Sequence, residues 1–416
     1  MNRHLIYAFV IGLLLRAAFT LFYPYETFYP DSYDYHKIAV NLVSGQGYSI
    51  EPGEPTARRA PVYPLFLAAV YSLFGVSAIA VGIIQSVLGA FASILIYKLS
   101  KEYFSERVSL TALYASALYP VLISYCGPVL TETLFSFMLV LSALFIARAV
   151  KNRSVFYYLT AGLVFGLVNL TRPDTILLPF LLLAAMLVNY EKKRTVLPHF
   201  LLFVFAAAVP FIPWTARNYS KFHYVFPGQS GALGALVRSD AWYAMNDTTE
   251  ENKIEFDKWN RYLESVQKEL GPAEAEKKLL NEGIEIILRH PVKFSALVAK
   301  RFPRFWITSH SSMFSISEPN SAYLSRGQYL ILGVKTALLG LHVLLLASAL
   351  MGIWLAKTRL REASFLLVLV FYSSLYVFVD IPNRHHVPYM PFIIIFSSVA
   401  VSYLMDKFYV RNNRLV

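Results

Sequence analysis

Apolar positions along this chain run together in long blocks, and the alternating and 3.6-residue patterns of a soluble protein are confined to two stretches. Ten apolar blocks fall near residues 5–22, 76–97, 108–126, 128–147, 155–171, 174–190, 196–216, 328–356, 363–379 and 387–405. An apolar run of about 18 residues or more is long enough to cross a bilayer as a helix. The pattern therefore predicts an all-α polytopic membrane protein with about 10 transmembrane helices. The stretch Ala60–Tyr97 carries no charged residue over 38 positions, which is too long for one span and short for two. Pro61, Pro64 and Gly75 punctuate its first half, so 61–74 is expected to be an interfacial helix.

Two polar stretches interrupt the blocks. The first, 23–75, holds a short amphipathic pattern in Tyr35, Ile38, Ala39, Leu42 and Val43, the stripe of a helix lying on a membrane surface. The second, 217–327, holds 13 of the 26 acidic residues and 15 basic ones. Within it Phe256, Trp259, Leu263, Val266 and Leu270 mark one amphipathic helix. Pro272 is expected to open a second helix, ending at His290-Pro291. The domain reading is an N-terminal transmembrane module, 1–216, a mainly helical soluble insert, 217–327, and a C-terminal transmembrane module, 328–416.

Composition agrees: 56% of residues are apolar, 15% are charged, and mean hydropathy is +0.48. These values exclude a soluble enzyme and a disordered chain, and one cysteine, Cys126, excludes an internal disulfide framework. A net charge of +12 would suit nucleic acid, but its distribution argues for topology and no nucleic-acid partner. Sixteen of the 38 Lys and Arg residues, from Arg3 through the clusters at 98–107, 148–153, 192–194, 357–361 and 407–414, fall after alternate spans. By the positive-inside rule those loops and both termini are cytoplasmic, leaving 23–75 and 217–327 on the outer face. The first span is too long for a cleavable signal peptide and lacks a small-residue cleavage site.

The chemistry-bearing residues gather on that outer face. Asp31 and Asp34 open the first outer loop. A purely structural reading makes Asp31 an N-cap and pairs Asp34 with Lys37. Glu132 is the only charged residue in the 40 positions Val108–Ala147, just inside a hairpin broken at Gly127-Pro128. A carboxylate within a span is costly and by default suggests function, although it can also serve as a buried partner for an arginine. Arg58 and Arg59 lie in the first loop, and Arg172, Arg217 and Arg384 sit at the outer ends of spans. Each alone could be an interfacial anchor; together they resemble a basic ring suited to phosphate. Metal ligation finds no support in local spacing: no His-x3-His or Glu-x-x-His pattern occurs, and His385 and His386 are adjacent. No Walker-type loop and no Gly-x-Ser-x-Gly elbow occurs either.

Several stretches together resemble the integral-membrane glycosyltransferases of the GT-C superfamily, in the branch of protein O-mannosyltransferases and lipid A sugar transferases. They are Pro30-Asp31-Ser-x-x-Tyr35 through Gly47-Tyr48, Arg59-Ala-Pro61-x-Tyr63-Pro64, Thr131-Glu132-Thr, Thr171-Arg172-Pro173, Pro213-Trp214-x-x-Arg217, His290-Pro291 with Arg304-Phe-Trp306, and Arg384-His-His-Val-Pro388. The resemblance implies a GT-C type fold and an inverting transfer of one sugar from a polyprenyl-phosphate carrier to a lipid, glycan or protein hydroxyl. It implies Asp31 as general base, Glu132 or Asp34 as a second site carboxylate, and Arg384, Arg217 and Arg172, then Arg58 and Arg59, as candidates for the carrier phosphate. Tyr35, Tyr63, His385 and His386 stand in the same motifs as substrate-binding candidates. No cofactor is implied; a divalent metal is compatible but not required. Ser32 stands where the family often has a second acidic residue. The location implied is a bacterial or archaeal cell membrane, with the site outside the cytoplasm. A lipid-linked sugar transporter or flippase is the rival reading, but transporters tend to bind near the midplane on broken helices.

Overall fold

The computed structural model describes residues 3–23, 29–223, 232–248, 252–378 and 383–412, which are helical almost throughout. The N-terminal part runs α1 (Arg3–Phe22), α2 (Pro30–Val43), α3 (Val62–Phe74), α4 (Ala78–Tyr103), α5 (Glu106–Leu118), α6 (Pro120–Ser124), α7 (Glu132–Asn152), α8 (Val155–Thr171), α9 (Leu178–Asn189), α10 (Val196–Ala208) and α11 (Phe211–Phe222). The middle part is α12 (Ala232–Met245), α13 (Lys253–Arg289) and α14 (Pro291–Trp306), followed by the short α15 (Asn320–Ser325). The chain closes with α16 (Tyr329–Leu355), α17 (Ser364–Ser374) and α18 (Met390–Asn412). Among the described residues no β-sheet forms; an isolated bridge joins Ser49 and Pro55.

Every predicted apolar block is largely helical among the described residues, and proline divides two of them. Among the described residues α1, α4, α7, α16 and the stretch Arg384–Phe408 are long and apolar enough to cross a membrane. The block 196–216 divides into α10 and α11, bent by 46° with Pro210 at the bend. The block 108–126 divides into α5 and α6 at Tyr119-Pro120, since proline has no N–H to continue the ladder. Three further blocks give apolar helices shorter than a full span, α8, α9 and Ser364–Phe378. In the insert the expected break at Pro272 does not occur: α13 runs through it as 37 residues of continuous helix. Packing overrides the proline, because α12 lies along both halves of α13, with Ala235 and Trp242 against a core of Trp259, Val266, Ala275 and Leu279.

The break after α5 leaves two carbonyls without helical partners, at Ser116 and Ala117. Arg16, in the middle of α1 and 1% exposed, donates to both at 2.9 Å and to Gly12 at 3.1 Å. A buried guanidinium thus caps a proline-broken helix from a neighbouring one, which meets the demand that backbone groups inside a membrane be satisfied internally. Arg16 thus places a charge deep within an apolar helix, and nothing in its local sequence marks this role.

The bundle core is a large cluster built from α4, α7, α8, α18 and their neighbours, with Phe135, Tyr158, Phe203, Tyr389 and Phe396 fully buried. Close approach depends on small residues, as expected where helices associate without a hydrophobic driving force. Gly162 and Gly166 of α8 face α10 so closely that an added Cβ would lie 2.3 Å from the Phe203 carbonyl and 2.4 Å from that of Ala207. Gly352 of α16 is tighter still, with the Phe396 carbonyl of α18 at 1.7 Å from a built Cβ. At the ends of the helices remote from Glu132, Arg148 and Lys151 pair with Glu102 at 3.0 and 3.2 Å, Arg107 pairs with Asp406, and Arg359 donates to the Tyr103 carbonyl. These contacts join the ends of α4, α5, α7 and α18 and the turn after α16.

Gly352→Ala should lower the thermal midpoint of the purified protein, at a cost of ~1–3 kcal/mol or more for overpacking. Gly340→Ala on the same helix, where a Cβ meets nothing within 4 Å, should be neutral or gain up to ~1 kcal/mol from helix propensity. Equal midpoints for the two variants would contradict the close α16–α18 contact.

Candidate active site

Pro30 occupies the first turn of α2, and Tyr29 at the N-cap offers no side-chain hydrogen bond. The Asp31 carboxylate therefore does not cap the helix, contrary to the structural reading of it. One oxygen meets Arg59 Nη2 at 2.8 Å, and the other accepts from Arg384 Nη2. Asp34, one turn on and on the same face, pairs with Arg59 at 2.8 Å and with Arg58 at 3.3 Å. Lys37 pairs with Glu51 instead. Arg59 also lies over the ring of Tyr35 at 5.3 Å.

The loop carrying Arg59 is held by its own contacts. The Tyr48 hydroxyl donates to the Arg59 carbonyl at 2.9 Å, and Asn41 Nδ2 donates to the Ser49 and Ile50 carbonyls. Arg217, reaching in from α11, donates to the carbonyls of Thr56 at 2.7 Å and Tyr48 at 3.0 Å. Its guanidinium stacks on Tyr48, Trp214 and Phe222. Arg217 is thus a clasp on the first loop and does not line the cavity described next.

A second tier comes from three helix ends. Glu132 is the first residue of α7 and 1% exposed; Arg172 follows the last residue of α8; Arg384 and His385 lie in the 3-10 turn before α18. Arg172 Nη1 and Arg384 Nε each stand 3.4 Å from Glu132 Oε1, and Arg172 also donates to His385 Nδ1. Glu132 Oε2 and Arg384 Nε have no hydrogen-bond partner although both are buried. Ion pairs at 3.4 Å are longer than good N–H···O geometry, and buried polar atoms without partners are uncommon in a folded protein. Asp31, Tyr35, Arg59, Arg172, Arg384 and His385 line a cavity of about 80 Å³. Three guanidiniums and the Asp31 carboxylate thus line a small polar space, and two of the three guanidiniums also reach Glu132.

Burial alone would raise the Asp31 carboxyl. Arg59, then Arg384 and Arg172, outweigh it and hold the group below its ordinary value. The carboxylate is therefore ionised throughout the neutral range.

Tyr63 is fully buried, with its hydroxyl donating to Gln85, so it supports α3 and does not face the cavity. His386 turns away from the cavity into a separate buried group with His310 and His342, whose ligand atoms lie within 4.8 Å of one another. His310 is held down to about 3 by burial, then by the neighbouring His342. Local spacing could not have revealed this group, because its three members come from distant segments. Thr131, which accepts weakly from Arg172 at 3.5 Å, also escaped notice as a site residue.

Comparison with known proteins extends the picture. Residues 58–215, less than half of the chain, match the family model of dolichyl-phosphate-mannose-protein mannosyltransferases. No curated protein matches the chain. Among solved structures, the archaeal oligosaccharyltransferase AglB from Archaeoglobus fulgidus, in complex with an inhibitory peptide and a dolichol-phosphate, is 14% identical with a TM-score of 0.57, over 100% of this chain and 52% of that one. An Archaeoglobus fulgidus oligosaccharyltransferase with zinc and sulfate is 14% identical with a TM-score of 0.58, over 97% and 50%. ArnT from Cupriavidus metallidurans bound to undecaprenyl phosphate is 14% identical with a TM-score of 0.46, over 97% and 79%. The chain spans about half the length of the oligosaccharyltransferases it matches.

A depressed carboxylate makes a pH prediction. Asp31 adds stability that is present above its unfolded value near 3.9 and is lost as pH falls through the lower folded value. The thermal midpoint of the parent should exceed that of Asp31→Asn most at neutral pH, and the gap should close on acidification below about pH 4. A gap independent of pH would mean that the arginines do not hold this carboxylate. The helical architecture and the likeness to the oligosaccharyltransferases establish this chain as an all-α membrane protein with the GT-C type of fold.

Proposed function

We propose that this chain is an inverting glycosyltransferase that moves a sugar from a polyprenyl-phosphate carrier to a hydroxyl acceptor on the extracytoplasmic face of a cell membrane. The observation that carries the reading is Asp31 held between Arg59 and Arg384 at a cavity that Arg172 also lines. The match of 58–215 to a dolichyl-phosphate-mannose-dependent family supports it and includes Arg59, Glu132 and Arg172. So does the fold shared with an oligosaccharyltransferase solved with a dolichol-phosphate.

In this reading the carrier phosphate enters beside Arg384 and Arg172, and its oxygens compete with the carboxylates for the guanidiniums. Asp31 is released from Arg384 and accepts the acceptor hydroxyl proton as that oxygen attacks the anomeric carbon. The bond from the anomeric carbon to the phosphate oxygen breaks, its electron pair leaving with the carrier phosphate. Arg384 and Arg172 stabilise the charge that develops there. One displacement from the face opposite the phosphate inverts the anomeric centre. Asp34 keeps Arg59 in place, and Glu132 sets the spacing of Arg172 and Arg384.

The orientation proposed places both termini in the cytoplasm and 217–327 outside, on the charge bias of the loops. The native cysteine, Cys126, is buried, so Ser265→Cys on the exposed side of α13 gives a clean probe. It should react with an impermeant thiol reagent in intact cells; labelling only after lysis would reverse the topology.

Radiolabelled polyprenyl-phosphate sugars offered in turn to membranes containing the protein test the activity. Asp31→Asn should lower kcat by about 10²–10⁴-fold, the usual range for a lost general base. Arg384→Lys should raise the donor KM by roughly tenfold or more with expression unchanged, because lysine cannot reproduce a forked phosphate contact. Near-normal turnover by Asp31→Asn would remove it as the base.

A further inference from the structure

We propose that His310, His342 and His386 form a binding site for a single divalent transition metal of the zinc class. His310 lies in the turn after α14, His342 midway along α16, and His386 in the turn before α18. All three are buried, and one ligand atom from each falls within 4.8 Å of the others.

The geometry is that of a ligand set. His310 Nε2 and His386 Nε2 stand 3.1 Å apart. Two nitrogens bound to one tetrahedral zinc at about 2.0–2.1 Å are separated by roughly 3.3 Å. The outer nitrogens of His342 and His310 are tied in the way metal-bound imidazoles usually are, which fixes the tautomer, whereas His386 Nδ1 is buried without a hydrogen-bond partner. His342 Nε2 lies 2.8 Å from the Trp306 carbonyl and must donate to it, which leaves Nδ1 as the lone-pair atom. That Nδ1 meets the Tyr119 hydroxyl at 2.6 Å, a contact the hydroxyl would yield to a metal. His310 Nδ1 meets the Tyr125 hydroxyl at 3.2 Å, which can accept its proton and leave Nε2 for the ion. Phe305 and Trp306 pack on His386, with ring centroids at 5.1 and 5.5 Å.

The donor set selects the metal. Imidazole nitrogen suits zinc, copper, iron and nickel, whereas magnesium, calcium and manganese prefer oxygen ligands. A metal takes the neutral imidazole, whose free ring nitrogen offers its lone pair. Three protein ligands leave a fourth position for water or a neighbouring hydroxyl. Because His386 adjoins Arg384 and His385, the ion would pin the turn that carries them to α16 and to the end of α14. The proposal does not rest on the glycosyltransferase reading.

The test uses full-length protein without a histidine tag, stripped with chelator in detergent and reloaded with Zn²⁺ or Co²⁺ alone. Elemental analysis after desalting should find one zinc per chain, and cobalt loading should give visible d–d absorption. Zinc should raise the thermal midpoint of the parent. His342→Gln and His386→Gln should each lose the bound metal, the cobalt spectrum and the zinc-dependent shift, while His290→Gln, exposed at the end of α13, keeps all three. Should either cluster variant fail to fold, the parent's metal content and cobalt spectrum decide alone. Substoichiometric zinc in the parent, or full metal in folded cluster variants, would overturn the site.

Discussion

Arg384 touches two carboxylates from distant parts of the chain, Asp31 at the start of α2 and Glu132 at the start of α7. Through that one guanidinium the turn before α18 is tied to the first loop and to the central span. Arg59 and Arg172 complete the web, Arg59 from the loop side and Arg172 from the end of α8. Burying so many charges is expensive, and each ion repays its desolvation only where partners are close and well aligned. On the loop side they are, at 2.8 Å. Around Glu132 they are not, at 3.4 Å with one oxygen left over. The web is tight at the first loop, where Asp31 and Arg59 line the cavity, and slack at Glu132, which Arg172 and Arg384 reach from the same cavity. An anion entering that space would meet guanidiniums whose pairing is incomplete.

Around this web the fold is arranged so that ends of helices meet. Pro120 breaks one helix and Pro210 bends another, and each break frees backbone groups that something must satisfy. Arg16 is the device at the first break, spending its donors on carbonyls with no acidic partner involved. Arg217 does similar work on the loop between α2 and α3. Arginine is therefore used in two ways in this molecule, as a backbone cap and as a carboxylate partner. Only the second kind lines the cavity.

The likeness to the oligosaccharyltransferases gives the same fold at 14% identity. Such likeness at such low identity is understandable if what matters is where helices end. Glycines at 162, 166 and 352 allow helices to touch backbone to backbone, which fixes their spacing.

Long apolar runs were enough to determine helices, because backbone in a membrane has no other way to satisfy its hydrogen bonds. An isolated charge in apolar surroundings, Glu132, stood out as a candidate because a buried carboxylate needs partners, and the structure supplies Arg172 and Arg384. Composition and motif order carried the fold type and brought Asp31, Arg59, Arg172 and Arg384 forward as candidates. What remained hidden depended on which helices lie side by side. The role of Arg16 follows from the position of α5 across from it. Arg217 could not be separated from the cavity arginines by its place at a span end. The unbroken α13 owes its continuity to α12, against the local preference of Pro272. The meeting of His310, His342 and His386 has no local signature at all. Local sequence sets helix propensity and burial cost, but proximity between distant segments is a property of packing, and only the tertiary structure decides it.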